Sequence, residues 1–121
     1  MLRSMTVWGC LALAIAAVPG AAHAHSAADL HANCAESYGS SARIACLSYL
    51  HGIIDGLAAA NTLSESGTAF RYCPPRGEIS VDELRLIFLA RIDAGTAKFG
   101  TDAGIFLVDA LLESFPCPPA T

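Results

Sequence analysis

Residues 46–56 read CLSYLHGIIDG. The stretch admits three readings: a membrane span with a G-x-x-x-G face, a helical His–Asp site, or the disulfide-tied helix of a small exported domain. A span needs roughly 20 consecutive apolar residues, whereas His51 and Asp55 interrupt this run. His51 and Asp55 stand four apart, so on a helix their side chains can meet. A catalytic site needs a third group, but the serines fall in caps and loops and the cysteines are expected to be oxidised. No catalytic residue, metal or cofactor is therefore expected. At 100° per residue, Ile44, Leu47, Leu50, Ile54, Leu57 and Ala58 share one wide apolar face. Ala45, Gly52, Gly56 and Ala60 form a second face of small side chains beside Tyr49. Only a narrow edge near Ser48, His51 and Asp55 is polar, and a helix covered on most sides is expected at the centre of a bundle. Its glycines would admit a close neighbour, within the domain or across a homodimer.

Working outward, the first 24 residues have a different character. Arg3 supplies a short positive region, VWGCLALAIAAV an apolar run of about a dozen residues, and Ala22-His23-Ala24 an A-x-A cleavage site after the helix-breaking Pro19-Gly20. Residues 1–24 are read as a cleaved secretory signal peptide and residues 25–121 as a single domain. Trp8 is a poor fit to a lipobox around Cys10. The chain of 121 residues carries a formal charge of −4, and loss of Arg3 makes the remainder one unit more acidic. It has no basic stripe to hold phosphates, so nucleic acid is not an expected partner.

Removing the signal takes Cys10 with it and leaves Cys34, Cys46, Cys73 and Cys117. An even number in a short exported chain reads as two disulfides. Three connectivities exist, of which Cys34–Cys46 with Cys73–Cys117 is preferred, because the first pair flanks a short connection between two expected helices. Zinc is the competing reading, but no C-x-x-C pair occurs.

Helix signals recur along residues 25–121. Ser26 and Asp29 resemble a capping box, opening a first helix that runs to about residue 37. Ser40 or Ser41 caps the second, expected over about residues 42–62. Residues 63–79, rich in Gly, Pro and Ser, form a long connection pinned by Cys73. Ser80 and Glu83 match a capping box with Asp82 at the positive helix start, and Val81, Leu84, Phe88 and Ile92 mark the buried face that follows. Thr101 is the expected cap of a last helix that buries Ile105, Val108, Leu111, Leu112 and Phe115 and stops at Pro116. With no strand alternation, the expected fold is all-α: a small four- to five-helix bundle with two disulfides.

These pieces together resemble a known family. CLSYLHGIIDG, then YCPP at residues 72–75, ISVDELRLIFLAR at 79–91 and LVDALLESFPC at 107–117 are similar to the Rap/Tai immunity proteins. Those proteins protect bacteria against peptidoglycan-cleaving amidase effectors delivered by type VI secretion. The resemblance implies a periplasmic, disulfide-bonded, often dimeric domain that binds a secreted amidase and occludes its substrate groove without turnover, with the four cysteines, Tyr49, Gly52, Asp55 and Gly56 as scaffold and helix-packing residues. Where family members usually carry His-Pro after the third helix, this chain has RIDAGTAKFG. The expected partner-binding residues are Glu65, Phe70 and Arg71 in the connection, with Asp82 and Glu83 at the start of the third helix. The alternatives are an acid-stress chaperone of the HdeA-like kind, or a general periplasmic binding or structural protein.

Overall fold

A computed structural model describes residues 25–64, 71–95 and 101–119. The signal-peptide reading falls on residues 1–24 and so lies outside the described residues. Four helices follow in order: α1 Ala27–Ala35, α2 Ser41–Leu63, α3 Val81–Asp93 and α4 Ala103–Ser114. Among the described residues there is no strand, only an isolated bridge between Ser26 and Asp102.

Each helix begins where a short polar side chain can satisfy an orphan backbone donor. Ser26 accepts from the Asp29 amide at 3.1 Å and donates to its carboxylate at 2.7 Å. Ser40 and Ser80 accept in the same way from Arg43 and Glu83. The cap of α4 is Asp102, which accepts from the Ile105 amide at 3.1 Å, and not Thr101. Thr101 has another use. Its carbonyl accepts the Ala27 amide at 2.8 Å, while the His25 carbonyl accepts the Ala103 amide at 2.9 Å. The first amide of α1 and the first amide of α4 are thus each satisfied by the residue preceding the other helix's cap. This exchange joins the two helix starts.

Helix ends follow equally local rules. Gly95, at φ 72°, supplies the left-handed residue after α3 and donates its amide to the Ile92 carbonyl at 2.9 Å. Gly39, at φ 82°, turns the chain between α1 and α2 and has the backbone freedom this requires.

The core gathers Leu30 from α1, Leu50 and Leu57 from α2, Leu84, Phe88 and Ile92 from α3, and Phe106, Leu107 and Leu111 from α4. Phe88 and Phe106 meet edge to face, with ring centroids 5.7 Å apart, a preferred aromatic arrangement. Two helices are turned from their expected orientation. On α2 the buried line is Cys46, Leu50 and Leu57, while Ile44 is 57% exposed and Ala58 faces solvent. The helix is therefore open along one side instead of covered on most sides. On α4 the buried residues are Ala103, Phe106, Leu107, Ala110 and Leu111, whereas Ile105 is 69% exposed. Both segments are apolar nearly all round, so periodicity alone does not select a face. Tethers make the choice: a disulfide for α2 and the helix-start exchange for α4.

The disulfides are Cys34–Cys46, between α1 and the first half of α2, and Cys73–Cys117, which joins the connection before α3 to the tail after α4. Beside the second, the Cys73 amide donates to the Phe115 carbonyl at 2.8 Å. Both sulfur residues of the first bridge are fully buried, while those of the second are only half-buried. Mild reduction of the folded protein should therefore open Cys73–Cys117 first, read by alkylation and mass spectrometry; prior loss of Cys34–Cys46 would contradict this. For sequence separations of 12 and 44, the chain-entropy model puts removal of each bridge at about 3 and about 4 kcal/mol. Urea titration of C34A/C46A and C73A/C117A measures both.

Candidate functional site

The start of α3 faces the first half of α2 across a charged cluster. Arg43, in the first turn of α2, has a side chain only 12% exposed. It donates to the Glu36 carbonyl at 3.0 Å and to Asp82 at 3.4 Å. Arg85 donates from Nε to the same Asp82 oxygen at 2.7 Å. The hydrogen bond from Arg85 holds the Asp82 carboxyl below its usual range, aided by the charges of Arg85 and Arg43 and opposed by a smaller desolvation effect. Glu83, one residue on, lies 3.7 Å from Arg76.

Above this cluster runs a groove of about 540 Å³, lined by Ile44, Leu47 and Ser48, then His51, Val81 and Asp82. His51 lies 3.3 Å from Asp55, and both are well exposed. Among the described residues, no group of three or more His, Cys, Asp or Glu is placed to hold a metal. The pair sits in open water on the helix surface, where such contacts are worth little.

Of the expected partner-binding residues, Asp82 lines this groove, Glu83 follows Asp82 in the first turn of α3, and Arg71 is exposed. Glu65 and Phe70 lie outside the described residues. The expected packing residues divide. Tyr49 is half-buried in the seam between α2 and α4, its ring 5.5 Å from that of His25. Its hydroxyl pKa is raised, first by burial and then by the charge of Asp102. Gly52, Asp55 and Gly56 face solvent. A Cβ placed on Gly52 or Gly56 would meet nothing within 4 Å, so the described residues supply no close neighbour there. The neighbour approaches a different glycine. At Gly104 of α4, a Cβ would lie 3.1 Å from an Asp102 carboxylate oxygen and 3.3 Å from the Tyr49 hydroxyl. A lone glycine beside a helix cap was the available sequence signal.

A second groove, of about 700 Å³, opens between α2 and α4. It is lined by Ile53, Gly104, Ile105, Val108 and Leu112, with Asp102 and Asp109. Sequence periodicity missed it by assigning Ile105, Val108 and Leu112 to the core.

Comparison with known proteins places this geometry in context. Residues 26–117 match the family model described as Rap1a immunity proteins. No curated protein and no solved structure matches the chain.

Two outcomes follow from the geometry. Gly52→Ala and Gly56→Ala should each stabilise the dilute monomer by up to about 1 kcal/mol, since alanine is the better helix former and nothing obstructs its methyl group. Gly104→Ala should gain less or lose stability, because its methyl group must displace the Tyr49 hydroxyl; equal gains at all three sites in urea titrations would refute this. The second concerns acid. Asp82 titrates lower in the folded chain than the unfolded value of about 3.9. Its contribution to stability is therefore complete above that value and lost as pH falls through the lower folded one. The stability gap between wild type and Asp82→Asn should stay constant from neutral pH down to about pH 5 and shrink in stronger acid, as urea titrations across the range would show.

Proposed function

The chain belongs to the Rap1a immunity protein family, and from that premise we propose that the effector it neutralises is a peptidoglycan amidase delivered by type VI secretion and met in the periplasm. The single observation that carries the reading is the extent of the match, from the cap of α1 to the last cysteine. Two features of the chain support the location. The expected signal peptide would export it, and two disulfides suit an oxidising compartment. No described helix is long and apolar enough to cross a membrane.

The mode of action we infer is occlusion without turnover. The cross-linked helices form a scaffold whose surface needs little ordering on binding, and the α2–α3 groove with Asp82 and Glu83 supplies a contact face at one edge. Ile44 gives that face an exposed apolar anchor, and the connection carrying Glu65, Phe70 and Arg71 precedes α3 in the chain. A homodimer would present two such faces, in keeping with the dimeric habit that the resemblance implies.

The test uses the disulfide-bonded chain and a secreted amidase encoded in a neighbouring reading frame. Stoichiometric loss of peptidoglycan cleavage, with nanomolar binding by calorimetry, is the expected result. Ile44→Glu and Glu83→Gln should each weaken binding at least tenfold while leaving thermal stability nearly unchanged, since Ile44 is exposed and glutamine keeps the capping box of α3. Undiminished amidase activity and no protection of cells in a competition assay would refute the proposal. Sedimentation of the chain alone and with its target reads the stoichiometry.

A further inference from the structure

The two grooves beside α2 differ in charge. In the α2–α3 groove, Asp82 is compensated by Arg43 and Arg85. Arg76 is taken up by Glu83, and Arg91 by Glu113 and Ser114. These pairings hold the cations along α3. Among the residues that line the α2–α4 groove there is no Lys, Arg or His. α4 contains no Lys or Arg, and the single arginine of α2, Arg43, is turned to the opposite flank. The groove therefore joins an apolar lining of Ile53, Ile105, Val108 and Leu112 to two carboxylates, Asp102 and Asp109. Asp109 is exposed and makes no hydrogen bond or ion pair among the described residues. Asp102 spends one oxygen on the Ile105 amide.

We propose that the α2–α4 groove docks a segment of a partner protein in which apolar and basic side chains alternate. The apolar groups fill the space between Ile53, Ile105, Val108 and Leu112, and lysine or arginine meets Asp102 and Asp109 at its edges. A second copy of this chain is the poorer occupant. A two-fold contact sets the same patch against itself, which would put the two carboxylates of each copy into one desolvated seam with no lining cation to offset them. A basic segment supplies what the groove lacks. This goes beyond the proposed function, because it depends neither on the target being an amidase nor on the α2–α3 groove.

The probe is a synthetic peptide of alternating leucine and lysine, paired with a twin in which glutamate replaces lysine. Each is titrated into the ¹⁵N-labelled, disulfide-bonded chain. The lysine peptide should give saturable amide shifts centred on Ile53, Ile105, Val108, Asp109 and Leu112, and the glutamate twin should bind at least tenfold more weakly. Asp109→Asn, and Asp102→Asn in which asparagine preserves the α4 cap, should each weaken the lysine peptide severalfold with an unchanged spectrum elsewhere. Ile105→Ser should do the same, and Ile44→Glu on the opposite flank should have no effect. Three results would overturn the proposal: equal affinity for both peptides, shifts centred on Ile44, Leu47 and Val81, or no saturable binding. Groove resonances that move with the protein's own concentration, without peptide, would also overturn it, by showing a second copy in the groove.

Discussion

The rotation of α2 governs what this domain shows to its surroundings, and a buried sulfur bridge sets that rotation. Cys34 and Cys46 are both fully buried, so the Cys46 side of α2 must face α1 and the core. Leu50 and Leu57, one and three turns further on, follow it inward. The opposite side then has no choice. Ser48, Gly52, Asp55 and Gly56 point outward, and Ile44 and His51 fall at the edge where α2 meets the start of α3. Without the tether, the apolar arc through Ile44, Leu47 and Ile54 would compete for the core on nearly equal terms.

A second tether orients α4. The exchange of first-turn amides between α1 and α4 replaces water with protein carbonyls at two helix starts, where donors are otherwise unsatisfied. It places Ala103 inward, and the helical repeat carries Phe106, Leu107, Ala110 and Leu111 with it. Ile105, Val108 and Leu112 are left along a seam with α2 that Gly104 allows to close. Charge is then distributed unevenly around the bundle. Arg43 and Arg91 bridge helices and Arg85 pairs within α3, which leaves the α2–α4 groove apolar with two carboxylates and no lining cation. The two grooves are thus different surfaces, although they flank the same helix.

The features legible in the sequence are those decided within a few residues. Ser26, Ser40 and Ser80 read as caps because the geometry they satisfy spans only three residues. The cysteine pairing was preferred on the strength of a short connection between two helices, and both bonds are present. Leu84, Phe88 and Ile92 read correctly as the buried face of α3, since the charged residues Asp82, Glu83, Arg85, Arg91 and Asp93 all lie off that face. α4 offered no such contrast. With Ile105, Phe106, Leu107, Val108, Leu111 and Leu112 spread around its circumference, every face is a candidate core, and only the contacts at its start distinguish them. The same limitation hid the α2–α4 groove and moved the close helix approach from Gly52 and Gly56 to Gly104.

By itself, then, the sequence determined the approximate helical segments, the caps of α1, α2 and α3, the cross-links and the family to which the chain is similar. All of these depend on local spacing or on residue identity. Which side of α2 and α4 faces the core, and hence which apolar residues line open grooves, was decided only by tertiary structure. The physical reason is that a helix with apolar residues on several sides has nearly equivalent ways to bury one of them. The choice then passes to contacts between residues far apart in the chain: Cys34 with Cys46 at one end of the bundle, and the Ser26 and Asp102 segments at the starts of α1 and α4.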